Sequence, residues 1–183
     1  MNDATQARTS APEPGDDALA LAGRTLIRER IRGIRKVVGR RLGPSDIVLR
    51  RTAPDVRAHL FEEACELYWN EMSWEEITEE ELVGDDELIE MIFPGLLALV
   101  DAFLPRAPNG EPDRDRERRD VAHDFLYWLG TRLVTLREAR PEPEHELTRI
   151  RRQTKVTDGL IDLIAFRVCS LNNDEIEAYQ KTR

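Results

Sequence analysis

The chain has 183 residues, 34% of them charged and 40% hydrophobic, and 27 lysines and arginines against 36 aspartates and glutamates give a formal net charge of −9. A chain of this length and apolar content can bury roughly two-thirds of its unfolded surface in one domain, which excludes global disorder, a fibre and a disulfide-stapled miniprotein. Its two cysteines, Cys65 and Cys169, show no Cys-x-x-Cys spacing, and the polar, acidic first 18 residues lack the apolar core of a secretory leader, so a reduced cytoplasmic protein is expected.

Residues 1–18, with Pro12, Pro14 and Gly15-Asp16-Asp17, have little to bury and are expected to form a disordered acidic tail ahead of a helical domain over 19–183. The first element of that domain is an amphipathic helix over 19–42. Its stripe is Ile27, Ile31, Ile34, Val38 and Leu42, and Gly43-Pro44 is expected to end it. Residues 24–51 hold ten basic groups against Glu29 and Asp46. The arginines surround the apolar stripe, and the candidate partner-binding residues are Arg28, Arg32, Arg35, Lys36, Arg40 and Arg41. Residues 46–51 have strand-like composition but no evident pairing partner and read as an extended connector.

Pro54 suits a first helical position, and a second helix is expected to run to about Met72 with Leu60, Ala64, Leu67 and Tyr68 facing inward. Ser73-Trp74-Glu75-Glu76 fits a capping box for a short helix to about Val83, closed by Gly84. Asp85 and Asp86 cap the next segment, which is apolar nearly all round over 88–104 and is expected at the centre of a bundle, bent or restarted at Pro94. Residues 52–101 hold fifteen carboxylates and only Arg57. The Arg-rich helix is therefore expected to pack on this acidic region or on an acidic partner. Glu90 and Asp101 interrupt the apolar run, which places them at its rim or beside an arginine of a neighbouring helix.

Residues 105–112 are turn chemistry and predict an internal loop. A long helix follows, with 113–119 as its solvated opening and Val121, Phe125, Trp128, Leu129, Leu133 and Leu136 as its buried stripe. The break at Arg140-Pro141-Glu142-Pro143 precedes a helix over about 144–171, hinged near 155–159. Asn172 or Asn173 caps a last short helix to about Lys181. The sum is an all-α protein, a single bundle of six or seven helices.

Nucleotide-binding glycine loops, the nucleophile-elbow serine motif and the paired-histidine zinc motif are all absent from the sequence. A metal site would have to use the three histidines, His59, His123 and His145, with carboxylates. Asp120-x-x-His123 and His59-x-x-Glu62 share helix faces, but only the first has the order used by carboxylate-bridged bundles, and Glu142-x-x-His145 contains Pro143. No metal ligand, catalytic residue or cofactor is assigned. Phe61 to Val83 resembles in rhythm the first helices of tetracycline-repressor-type regulators. That family keeps its helix-turn-helix basic and amino-terminal, with a glycine in the turn where this chain has Asn70-Glu71-Met72, and an acidic segment does not enter a phosphate-lined groove; no family is assigned.

The aromatics Trp69, Trp74, Phe93, Phe103, Phe125, Tyr127 and Trp128 serve a core at these spacings, with a pocket between helices as the alternative. The functional expectation is a non-enzymatic regulatory or adaptor protein working through contacts with another protein or a second copy, using the basic 24–42 helix and the acidic 55–90 surface. The alternatives are a carboxylate/histidine metal-binding bundle and a nucleic-acid binder using the Arg-rich helix. No membrane partner is expected, because no apolar run is long and uncharged enough to span and the Arg-rich helix lacks aromatic anchors.

Overall fold

The computed structural model describes residues 14–39, 51–72 and 86–183. Among them are seven helices and no strand: α1 (Pro14–Val38), α2 (Pro54–Met72), α3 (Asp86–Ile92), α4 (Pro94–Phe103), α5 (Arg119–Glu138), α6 (Glu144–Val168) and α7 (Asn173–Gln180). The fold is an all-α bundle, as its periodicities predict. None of these helices is long and apolar enough to cross a membrane. Residues 1–13 of the expected tail, the connector 46–50, the Gly43-Pro44 stop and the short helix expected after Ser73 lie outside the described residues.

Helix α1 begins at Pro14, ahead of the expected tail boundary at 18. Proline loses nothing at a first turn whose amides have no helical acceptor, and Asp16 and Asp17 sit where the helix dipole favours negative charge. It also stops earlier than expected, at Val38, because Gly39 adopts φ +70 and turns the chain out of the helix. Ile27, Ile31 and Ile34 are buried. Ile27 lies against Gly130 of α5, the main neighbour of α1, which also touches α6 and α7. Among the described residues the main neighbours of the Arg-rich helix are thus α5, α6 and α7 rather than the acidic region at 55–72 and 86–101. The apolar stripe chooses the neighbour, and two glycines let it come close: a Cβ on Gly130 of α5 would lie 2.5 Å from the Gly23 carbonyl oxygen of α1.

Helix α5, rather than the apolar run 88–104, is the central element, packing on α1, α2, α4 and α6. Pro94 divides that run into α3 and α4. The amides left open at the start of α4 are capped from a distance: both oxygens of Glu71, on α2, accept from the backbone N–H groups of Gly95 (2.7 Å) and Leu96 (3.0 Å). Gly95 permits this approach, since a Cβ there would meet Glu71 Oε1 at 2.6 Å. Glu90 and Asp101 behave as expected for rim residues. Both are exposed, and Arg167 of α6 reaches Asp101 at 2.9 Å and Glu90 at 4.0 Å.

Residues 113–118 are not the solvated first turns of α5 but a turn preceding it. Arg119 and Glu117 are buried as an ion pair at 3.1 Å, and Arg119 also donates to the Val168 carbonyl at 3.0 Å, so this stretch ties the start of α5 to the end of α6. Helix α6 runs unbroken to Val168, without the hinge expected at 155–159. Thr157 is bonded to Tyr68, Asp158 and Asp162 hold Arg30, and Gly159 is where the Ile89 side chain of α3 presses against the helix. Ser170, at φ 54, ends α6, and the Leu171 N–H returns to the Phe166 carbonyl at 3.0 Å. Asn172 then caps α7 in a reciprocal box with Glu175.

Candidate functional site

Each predicted partner-binding residue has a definite position. Arg28, Arg32 and Lys36 are exposed on α1, Arg35 is half-buried, and Arg40 and Arg41 lie outside the described residues. Arg24 continues the exposed row one turn earlier. Arg30 differs in kind. Its guanidinium spans Asp158 (2.5 Å) and Asp162 (2.6 Å) on α6, Arg183 approaches the same two carboxylates, and Arg137 approaches Asp158. Burial alone would lower the Arg30 pKa, but the carboxylates of Asp162 and Asp158 outweigh it and raise the value. Arg30 therefore holds the bundle together, whereas the exposed row is available for binding.

Beside that row, α1 and the start of α2 flank an open groove of about 1090 Å³ with α5 between them. Arg24 and Arg28 enter its lining from α1, and Arg51 and Arg57 from the start of α2. The apolar part of the lining is Phe61, Tyr127 and Trp128. Trp128 is backed by Phe125, with ring centroids 5.6 Å apart and planes at 21°, and meets Tyr68 edge-on at 5.1 Å. The aromatic surface is thus held from behind by the core.

The near side of the groove is fixed by carboxylates of α5. Asp124 receives Arg57 through Nε at 2.6 Å and Nη2 at 2.8 Å, a bidentate pair. Asp120 accepts from the Thr52 backbone N–H (2.7 Å), the Thr52 hydroxyl (2.8 Å) and the Val121 N–H (3.0 Å). Burial would raise the Asp120 pKa, but these hydrogen bonds and the nearby Arg57 charge hold it below the ordinary carboxylate value. A group whose folded-state pKa is depressed stabilises the fold above its unfolded pKa and loses that contribution as pH falls through the folded value. Asp120→Asn is therefore expected to cost about 1 kcal/mol at pH 7, with the gap from the natural chain closing below about pH 4 in urea titrations at stepped pH.

The remaining sequence candidates do not assemble into a centre. His59 and His145 are exposed, His123 is buried edge-on against Tyr127 at 6.1 Å, and Asp120 is occupied by Thr52. Among the described residues no three His, Cys, Asp or Glu side chains gather as metal ligands would. Neither cysteine is in a disulfide; burial, with a smaller contribution from the Glu62 charge, pushes the Cys65 thiol up to about 12. Of the aromatics, Phe93, Phe103 and Phe125 are core residues. Trp69 is largely exposed, with the Arg132 guanidinium 4.6 Å above its ring, and Trp74 lies outside the described residues.

Sequence reasoning did not place Arg51, Arg57, Phe61 and Tyr127 in one site. They come from α2, its entry and α5, and only the bundle brings them together. No protein-family model matches the chain, and searches of the curated proteins and of the solved structures give no match.

Proposed function

We propose that this is a cytoplasmic, non-enzymatic regulatory or adaptor protein that docks another protein, of acidic surface, on the exposed basic row of α1. The observation that carries this reading is the division of labour along the helix. Arg24, Arg28, Arg32 and Lys36 are exposed, while the isoleucines and Arg30 account for the packing of α1 on the bundle. Cations that a fold does not use internally, set one helical turn apart, suit an acidic partner by charge complementarity. Asp55, Glu62, Glu63 and Glu66 give α2 an exposed acidic face, so a second copy of the chain is a partner of the same chemistry.

Affinity capture of cellular proteins in nuclease-treated lysate tests the reading, with Arg32→Glu/Lys36→Glu as the comparison. Both residues are exposed, so the variant is expected to fold normally. The natural chain should enrich acidic partners about tenfold over the variant, and the enrichment should fall with added salt. Sedimentation of the purified chain separates self-association from capture of a different protein. Equal capture by both chains removes the reading, and capture that vanishes on nuclease treatment replaces it with nucleic-acid binding.

A further inference from the structure

We propose that the groove between α1 and the start of α2 binds a nucleoside di- or triphosphate, with the phosphates on Arg24, Arg28 and Arg51 and the base against Tyr127 and Trp128. This goes beyond the docking reading, because it concerns a small ligand and, although Arg24 and Arg28 belong to both, it adds Arg51, Tyr127 and Trp128 and leaves out Arg32 and Lys36.

The first argument is charge. Of the four guanidinium groups in the lining, Arg57 is neutralised by its bidentate pair with Asp124. Arg24, Arg28 and Arg51 are exposed and form no ion pair among the described residues, although each stands at the groove. Three such cations match the roughly three negative charges of a diphosphate at neutral pH, since a terminal phosphate loses its second proton near pH 6. Guanidinium groups also present paired N–H donors that suit phosphate oxygens.

Shape supplies the second argument. The volume of about 1090 Å³ is just above the range of small-ligand pockets, roughly 300–1000 Å³, as suits an open groove. A specific protein interface needs about 800 Å² on each partner, which calls for a broad surface rather than one groove.

Aromatic chemistry is the third. The Arg-rich helix has no aromatics of its own for stacking. The fold provides them from α5 and α2, with Trp128 held in place by Phe125 and Tyr68. Flat rings beside guanidinium groups suit a ligand that joins a base to phosphates. This route uses side chains and needs none of the glycine-rich loops that the sequence lacks.

The test is calorimetric titration of the full chain in EDTA with ATP, ADP, adenosine and inorganic triphosphate, with tryptophan fluorescence as a second readout. Binding of ATP and ADP at about 10–100 μM is expected, with adenosine and triphosphate each at least about tenfold weaker, because each carries only half of the recognition. Arg24→Gln and Arg51→Gln should each weaken ATP binding about tenfold. Trp128→Phe should remove most of the fluorescence change. Arg32→Glu/Lys36→Glu, which lies off the groove, should leave ATP affinity unaltered, so failure of the docking reading and failure of this one are separately visible. Three results overturn the proposal: no ATP binding below about 1 mM, triphosphate binding as tightly as ATP, or affinity indifferent to the Arg24 and Arg51 changes.

Discussion

Replacing Arg30 with methionine is expected to lower the stability of the bundle by about 3 kcal/mol at neutral pH. Arg30 lies between Asp158 at 2.5 Å and Asp162 at 2.6 Å, and the side chains of Arg30 and Asp162 are only 11% and 9% exposed. Removing the cation leaves two carboxylates one helical turn apart, with Arg183 and the more distant Arg137 as their remaining partners. The pH dependence gives the cause away. In the natural chain burial pushes Asp158 up, but Arg30, with smaller contributions from Arg183 and Arg137, more than offsets this and its pKa is lowered, so its contribution is present above the ordinary carboxylate range and is lost on acidification. In Arg30→Met only Arg183 and Arg137 oppose that burial, so the Asp158 carboxyl rises and that of Asp162, which burial already holds above the ordinary value in the natural chain, rises further, and a raised acid stabilises the fold only below its unfolded pKa. The gap between the two chains should therefore narrow as pH falls from 7 towards 4, as read from urea midpoints, and Arg30→Met/Asp162→Asn should recover about half of it. A gap that does not change with pH would show that Arg30 acts through packing of its aliphatic stem.

The second large effect is steric. Gly130→Ala is expected to cost about 3 kcal/mol, because the new Cβ would sit 2.5 Å from the Gly23 carbonyl oxygen and 2.8 Å from Ile27 Cγ1, and neither helix can yield without moving its backbone. The gain of about 1 kcal/mol in helix propensity offsets only part of this. Gly33→Ala, on the same helix as Gly23, is the control. A Cβ there meets nothing within 4 Å, so the propensity gain should appear as added stability of up to about 1 kcal/mol. Thermal and urea unfolding of the two variants should move in opposite directions. If Gly130→Ala is neutral, the α1–α5 contact is looser than the structure shows.

The helices were legible because their signals are local. The isoleucine stripe of α1, the proline starts of α2 and α4 and the Asn172–Glu175 cap of α7 all act within one or two turns. Misplaced boundaries trace to tertiary interactions. The segment 113–119 reads as solvated from its charges, yet Arg119 is buried because Glu117 and the Val168 carbonyl satisfy it. Residues 155–159 read as a hinge from their glycine, yet that glycine is where α3 meets an unbroken helix.

Charge blocks were legible as composition and not as geometry. A basic segment beside an acidic one suggests that the two pair, whereas among the described residues α1 lies mainly on α5, α6 and α7 and its internal arginine goes to carboxylates 128 and 132 residues away. Burial of Ile27, Ile31 and Ile34 decides where the helix lies, and the charges take the partners found there.

By itself the sequence determined the all-α class, most of the helices and their inward faces, because helix formation answers to residues three and four apart. Only the tertiary structure decided which arginines are consumed and which remain exposed, and that Arg24, Arg28, Arg51, Phe61, Tyr127 and Trp128 share one groove. Those relations join residues tens of positions apart, such as Arg57 and Asp124 at a separation of 67, and no local period encodes them. They follow from the close approach at Gly23 and Gly130 and from the packing of both α1 and α2 on one central helix.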